Sequence, residues 1–521
     1  MSFTAAHLVP LPVVVPLIAA GATLVASRRT TLQRVFTVSA LATTVVVAAL
    51  LVGVSDRHGP QVVNVGGWMP HEGIVLVADR LGALMLLVSA IVTLGVVLYS
   101  IGEGRSSFDD ESDGQSPLPV FHPTLLVLSA GVSTTFLSGD LFHLYVGFEM
   151  LLAASFVLLT LGGTRPRVRA GVTYVAVSLL SSLVFLTGIA LVYAAAGTVN
   201  LAHLGARMQE IDPGTRLTIE LVLLLGFGVK AAIFPMAGWL PESYPTAPAS
   251  VTAVFAGLLT KVGVYAIIRT EVLLFPDDRV SPMLLGAALL TMVTGILGAL
   301  VQDDIKRLLS FTLVSHIGYM IFGIAVGGVL GLSAAIFYVV HHILIQSALF
   351  LVAGLIERRG GTTSSMRLNR LAAGSPLLAA LFFVPALNLA GVPPFSGFIG
   401  KIGLMRAGVA AGDWLSLLLV AGSAVTSLLT LYALTRVWAR AFWRGPFDEG
   451  GTEREEEGPS DEYAAEAMTP GVVVPTVLMV VVGLLITVVA GPLFAYTDRA
   501  AADLIGQETY VDAVFPEGVP R

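Results

Sequence analysis

Cysteine is absent from the 521 residues, which excludes disulfides, thiol catalysis and cysteine-ligated iron–sulfur clusters held by this chain. Charge is scarce as well. Only 12% of residues are charged while 55% are hydrophobic, and the mean hydropathy of +0.85 lies far from the balance of a soluble domain. The net charge of −6 sits mostly in acidic loops, which describes solvated loop surfaces and gives no footing for nucleic acid. A basic leader is missing too. The N-terminal MSFTAAHLVP shows no basic n-region and no evident cleavage site, so the first apolar segment is expected to be retained. Lysine is the rarest charged residue: of 29 basic residues, four are Lys, at 230, 261, 306 and 401.

What is present is a succession of fourteen apolar runs, each long enough to cross about 30 Å of hydrocarbon. They fall at roughly 8–26, 35–54, 77–101, 121–138, 140–162, 170–196, 217–240, 248–271, 282–301, 308–328, 331–356, 376–410, 412–440 and 470–496. An all-α polytopic membrane protein follows. Two polar stretches, EGRSSFDDESDGQSP and GPFDEGGTEREEEGPSDEYAAEAMTP, have the composition of flexible solvated connections. The chain therefore divides into residues 1–120 (three spans and an acidic loop), 121–271, 272–440, and 441–521 (an acidic loop, the last span and the tail).

Basic residues of the short loops set the orientation. Arg28, Arg29 and Arg34 follow span one, Arg165, Arg167 and Arg169 span five, Lys306 and Arg307 span nine, and Arg358, Arg359, Arg367 and Arg370 span eleven. Arg436, Arg440 and Arg444 close span thirteen. All are odd-numbered loops. They are expected in the cytoplasm of a cell-membrane protein, with both termini outside.

Three of the four lysines, Lys230, Lys261 and Lys401, fall inside apolar spans. A lysine near a helix end is commonly a snorkelling anchor, but Lys261, in VTAVFAGLLTKVGVYAIIRT, is too deep for its stem to reach the headgroups. Arginine stays protonated at any accessible pH, whereas a buried lysine can release its proton. Glu149, in DLFHLYVGFEMLLAASFVLL, is the acid that could hold Lys230 charged. On insertion scales each such central charge costs roughly 2.5–3.5 kcal/mol, so four of them do not accumulate by chance. Histidines extend the set: His341 and His342 lie mid-span in AAIFYVVHHILIQSALFLVAGL, and His316 lies in SFTLVSHIGYMIF, each able to exchange a proton near neutral pH. Adjacent helical residues point about 100° apart, so at most one of the pair faces a given path. His316 also has a structural reading, as a hydrogen-bonding partner of Ser315.

Proline interrupts two spans. In FGVKAAIFPMAGWLP, Pro235 cannot donate to the Ala231 carbonyl, one residue from Lys230. In LNLAGVPPFSGFIGKIG, Pro393 and Pro394 free the carbonyls of Leu389 and Ala390, and Gly391 and Gly397 relax the backbone. Broken helices at membrane depth are tolerated where they line protein or a wet cavity. Two breaks five spans apart, each near a lysine, imply repeats covering spans four to eight and nine to thirteen, and mark a pathway.

WLPESYPTAP running into LLTKVGVYAIIR, with FEMLLAASFVLL and GVPPFSGFIGK, resembles the proton-translocating subunit family shared by respiratory complex I and the Mrp-type cation/proton antiporters, in particular the D-type subunits of the latter. The likeness covers roughly residues 120–440. It implies fourteen helices, an inverted pair of five-helix repeats and a charged mid-membrane axis. Carried across, Glu149, Lys230, Lys261 and Lys401 match the family's charged positions and His342 its polar position in span eleven. Gln346 departs from it, standing where several relatives carry lysine. Implied is proton passage along Lys230, Lys261, His342 and Lys401, with Glu149 as switch, coupled to counterflow of sodium or potassium. The resemblance implies other membrane subunits as partners and no cofactor or metal of the chain's own. Two alternatives remain: a membrane-arm subunit of a redox-driven proton pump of the complex I or membrane-bound hydrogenase type, and a non-conducting scaffold.

Overall fold

A computed structural model describes residues 5–103, 120–276, 279–443 and 468–519. Most of both acidic stretches, residues 103–117 and 445–470, lies outside the described residues, as does Arg444. Twelve described helices are long and apolar enough to cross a membrane, and two shorter apolar helices, Phe121–Leu137 and Pro376–Ala390, stand at expected spans four and twelve. In order the crossings are Leu11–Val25, Thr30–His58, Arg80–Glu103, Phe121–Leu137, Leu141–Thr160, Arg165–Ala196, a broken seventh beginning with Pro213–Ala231, and an eighth ending with Thr260–Leu274. Ser281–Leu300, Ile305–Val326 and Gly328–Gly360 follow, then a broken twelfth (Pro376–Ala390 and Ser396–Ala411), Trp414–Val437 and Pro470–Val488.

One departure from an all-α chain is a hairpin between spans two and three. Strands β1 (Gln61–Asn64) and β2 (Val75–Ala78) pair antiparallel, with Gln61 opposite Ala78, where β-branched valines suit a pleated surface. Short helices also cover the end of the bundle that carries both termini: Leu201–Arg207 after span six, and Ala490–Gly506 and Glu508–Val514 after span fourteen.

Burial separates centre from periphery. The apolar stretches of spans eight and eleven are buried throughout, whereas only about a third of those in spans one and thirteen is covered. A helix that is apolar all round and enclosed on every side belongs to the middle of the bundle. Spans eight and eleven are thus the axis, and they carry Lys261, His341 and His342.

The repeat is visible in matched local devices. Asp140 caps span five by accepting from His143 N at 2.6 Å, and Asp304 caps span ten by accepting from Arg307 N at 2.8 Å. Each aspartate forms an isolated bridge with the segment beyond the next helix, Asp140 with Asn200 and Asp304 with Ser364. Leu141 N donates to Val199 O and Ile305 N to Thr363 O, both at 2.9 Å. One constant displacement along the chain carries each member of the first set onto the second, and also Gly131 onto Gly295, Leu151 onto Ser315, Ser155 onto Tyr319 and Tyr174 onto Tyr338. Five is an odd number of crossings, so span nine enters the membrane from the side opposite span four, and the repeats are inverted.

The matched glycines set how closely the paired helices approach. A Cβ on Gly131 would lie 2.6 Å from Leu151 N, and one on Gly295 2.3 Å from Ser315 N. Gly295→Leu is therefore expected to cost about 1–3 kcal/mol through overpacking and to lower the yield and thermal stability of detergent-solubilised protein. Gly286→Leu, on the same helix with nothing within 4 Å, should leave both unchanged. Equal behaviour of the two variants would refute the close-packing account.

Candidate functional site

Three backbone irregularities lie beside Lys230, Lys261 and Lys401, all buried. Span eight is α-helical over Ala249–Val254 and Thr260–Leu274 but π-helical over Phe255–Leu259. Such a turn shifts the hydrogen-bond ladder, and it marks functional sites often. Lys261 uses it: its Nζ donates to Ala256 O at 2.5 Å, five residues back. The lysine is wholly buried, so this backbone oxygen is its anchor.

Span twelve breaks after Ala390, where Gly391 takes φ 86° and Val392 N reaches back to Leu387 O, a glycine-closed helix end. Lys401, on the second half-helix, donates to Ala390 O at 2.9 Å and Leu389 O at 3.3 Å. These are the carbonyls that Pro393 and Pro394 leave free. Asn388 ties the halves together, its Oδ1 accepting from Gly397 N at 2.9 Å and Ser396 Oγ at 3.2 Å.

The seventh span stops earlier than its proline predicts. Ala232, at φ 59°, ends the helix after Ala231, and Ile233 N donates to Gly228 O, so Pro235 lies beyond the helix end instead of inside it. Val229 O, which accepts from Ala232 N at 3.2 Å, also accepts from Trp239 Nε1 at 3.0 Å. Lys230 Nζ has no hydrogen-bond partner among the described residues. It lies 5.6 Å from the Tyr174 ring centroid, within cation–π range.

Glu149 is half-buried on span five, and its Oε1 is unpartnered among the described residues. Spans five and seven meet beside it through Phe148 and Phe227, 6.2 Å apart. No ion pair joins it to Lys230 among the described residues.

Spans ten and eleven supply an aromatic file. His342 and His316 lie 5.2 Å apart by ring centroids, and His316 and Tyr319 5.4 Å. Lys401 Nζ sits 4.8 Å from the Tyr319 ring. His316 Nδ1 shares a 2.8 Å hydrogen bond with the Tyr338 hydroxyl, while Ser315 bonds Met292 O instead. The two adjacent histidines diverge as helical geometry requires. His342 keeps both ring nitrogens free among the described residues; His341 points to the span-twelve break, 2.9 Å from Ser396 Oγ. On the other side, Gly263 packs so closely on Ala231 that a Cβ would lie 2.8 Å from its nitrogen, joining the helices of Lys261 and Lys230.

The structure thus brings Lys230, Lys261, His342, His316, His341 and Lys401 into one buried belt, with Glu149 at its edge. Reading the sequence missed Tyr174, Tyr319 and Tyr338, although Tyr319 stands three residues after His316 and Tyr338 four before His342, spacings that share a helical face. It also missed Asn388, Trp239 and the buried pair Asp79–Arg269, because those partners meet only in three dimensions. Gln346 donates to Leu309 O at 2.8 Å, so it braces spans ten and eleven.

The fold and the belt define a class: a multi-spanning membrane protein in which two inverted repeats enclose a lateral file of protonatable groups. Residues 138–430 match the family described as NADH:quinone oxidoreductase/Mrp antiporter, membrane region, and the chain belongs to that family. It is 35% identical over 98% of its length to the whole of the D-type subunit of the Na(+)/H(+) antiporter of Bacillus subtilis. The same identity and coverage hold for the corresponding antiporter protein of Alkalihalophilus pseudofirmus. Among solved structures it resembles a chain of the Mrp complex from Dietzia, with a TM-score of 0.89, 31% identity, and 98% of this chain and all of that one covered. A chain of respiratory complex I from Thermus thermophilus shares the fold at a TM-score of 0.77, with 24% identity and 96% of this chain and all of that one covered.

Asn388→Ala removes the acceptor that ties the two halves of span twelve and leaves the Gly397 N–H unpaired, at a cost of about 1–3 kcal/mol. The variant should show a lowered thermal unfolding midpoint. An unchanged midpoint would show that the break is held by other contacts.

Proposed function

We propose that this chain is the proton-conducting subunit of a multi-subunit Na+(K+)/H+ antiporter in the cell membrane, a transporter subunit with no enzymatic site. The observation that carries this reading is the buried belt from Lys230 through Lys261, His342 and His316 to Lys401, spanning the two helix breaks. Protons enter at one break, pass laterally and leave at the other. Tyr338 and Tyr319 complete the path beside the histidines, since a hydroxyl both donates and accepts. Its partners are the other membrane subunits of the complex, the lipid bilayer, protons, and sodium or potassium moving the opposite way.

Glu149 acts as the switch. Paired with Lys230 it holds that proton in place; apart, as found here, Lys230 is the one buried lysine among the described residues whose ammonium meets only an aromatic ring, and it is free to hand its proton on. A complex I-like, redox-driven role uses the same conduction chemistry, and the fold shared with a complex I chain supports it as the second reading. Flavin and iron–sulfur absorbance in the natively purified complex would favour that role over an antiporter.

Lys261→Arg keeps a positive charge of similar reach but cannot deprotonate. The variant should assemble normally and lose most proton-coupled cation exchange in vesicles, as should Lys230→Ala. Near-native exchange by the arginine variant would make Lys261 a fixed charge and end the relay as drawn. A pure scaffold predicts instead that neither substitution yields an assembled but inactive complex.

The basic residues of the odd-numbered loops support a cytoplasmic position for the face that carries those loops. Tags inserted after Arg169 and after Arg359 should be protected in intact cells, and tags at both termini should be accessible from outside. The reverse pattern would invert the direction of every step above.

A further inference from the structure

The register of span eight runs one stripe from the Lys261 position toward the terminus-bearing face, in the direction opposite to the Ala256 carbonyl that holds its Nζ. Lys261, Tyr265 and Arg269 recur every fourth residue, so they form one stripe up span eight, and Arg269 lies about 12 Å along the axis from Lys261 at 1.5 Å per residue. The stripe ends at the face that carries both termini. A proton leaking this way would short-circuit the belt.

The end of the stripe is closed. Arg269 is 2% exposed and grips Asp79, at the start of span three, in a two-pronged pair, Nη1 to Oδ2 at 2.6 Å and Nη2 to Oδ1 at 2.8 Å. Asp79 Oδ1 also accepts from Gly82 N at 2.8 Å. The Tyr265 hydroxyl accepts from Arg269 Nη2 at 3.0 Å and donates its single proton to Phe136 O at 2.9 Å. The acceptors along this end are largely engaged: the tyrosine proton goes to Phe136 O, the guanidinium has no lone pair to accept with, and both carboxylate oxygens accept from it, while Arg269 Nε and the Tyr510 hydroxyl are without partners among the described residues.

The C-terminal segment lies over the pair. The guanidinium carbon of Arg269 is 5.3 Å from each of the Tyr265 and Tyr510 rings, so Tyr510 forms a roof. That roof is clamped. Arg80 bonds Asp56 and Asp503, Arg499 bonds Asp56 at 2.8 and 2.9 Å, and Gln507 Nε2 donates to Val272 O at 2.8 Å.

We propose that the Asp79–Arg269 pair, roofed by Tyr510, is an insulating plug that separates Lys261 from the terminus-bearing face, so that protons on Lys261 leave only along the lateral belt. A fixed guanidinium lining a pore is a known barrier to protons and other cations. The plug rests on the proton-conduction reading above, but access to it can be measured without transport.

Because the chain has no cysteine, Ile268→Cys gives a single buried reporter on this chain at the level of the pair, one residue before Arg269 on span eight. In otherwise native protein, assembled with its complex in vesicles, that cysteine should resist a membrane-impermeant maleimide applied to the terminus-bearing face. In the combined Asp79→Asn and Arg269→Gln background it should react, and an imposed pH gradient should collapse several-fold faster than in native vesicles without sodium or potassium. Adding Lys261→Met to the neutralised pair should restore proton tightness while labelling persists. A neutralised pair that assembles and stays both unlabelled and proton-tight overturns the plug, and a leak that survives Lys261→Met overturns its link to Lys261. Should the neutralised pair fail to assemble, Tyr510→Ala, which removes the roof and leaves both charges, decides: reaction of the cysteine supports the plug, and continued protection refutes it. Loss of exchange chemistry at Lys261 would leave the labelling result standing, so the two readings fail separately.

Discussion

An ammonium group far from water has to find oxygen, and the architecture follows from how that need is met. In regular α-helix each carbonyl is already bonded to the amide four residues on and offers a side chain only its second lone pair. Carbonyls without an amide partner arise where the ladder is interrupted. Lys261 takes one at the π turn, and Lys401 takes two at the broken end of the twelfth span. The irregular turns and the buried charges are therefore one feature, each accounting for the other. Lys230 stands apart: the carbonyl beside it is taken by Trp239, which leaves its ammonium over Tyr174 and dependent on Glu149 for any countercharge.

Enclosure makes the arrangement tenable. Spans eight and eleven are covered on every side, so the cost of irregular backbone and charge is met within protein and not against lipid. Close backbone contacts at Gly131, Gly295 and Gly263 hold the surrounding helices near enough for rings and ammonium groups to remain in reach. The termini-bearing end is covered separately, by the hairpin, the short lateral helix and the C-terminal helices.

Much of this was legible in the sequence because its signals were local. Fourteen crossings, two interrupted spans and lysines at membrane depth follow from runs of apolar residues and from Pro393, Pro394 and Pro235 alone. The freed carbonyls of Leu389 and Ala390 were foreseeable for the same reason, since proline acts on a residue four positions back. Ala231 was not, because a left-handed Ala232 ended the helix first and no local rule predicts an alanine there. The hairpin of residues 61–78 was overlooked beneath the stronger signal of the spans on either side. The π turn carried no proline or glycine pattern that distinguishes it. The Asp79–Arg269 pair joins residues far apart in the chain, and such pairings are settled by packing.

The matched repeats explain why the belt is lopsided. The displacement that superposes Asp140 on Asp304 also carries Leu152 onto His316, Val177 onto His341 and Ser178 onto His342, so the histidines are additions of the second repeat. Span thirteen, which answers span eight, offers hydroxyls where span eight offers Lys261: the Tyr319 hydroxyl meets Thr426 at 2.7 Å and Ser427 at 2.9 Å. The first repeat thus contributes Lys230 and Lys261 and the second Lys401 and the imidazoles, and they meet where span eight of the first packs against span eleven of the second. Gln346 fits that division. It fastens span eleven to Leu309 O without adding a fourth ammonium group, leaving Lys261 and His342 as the groups of the belt where the halves meet.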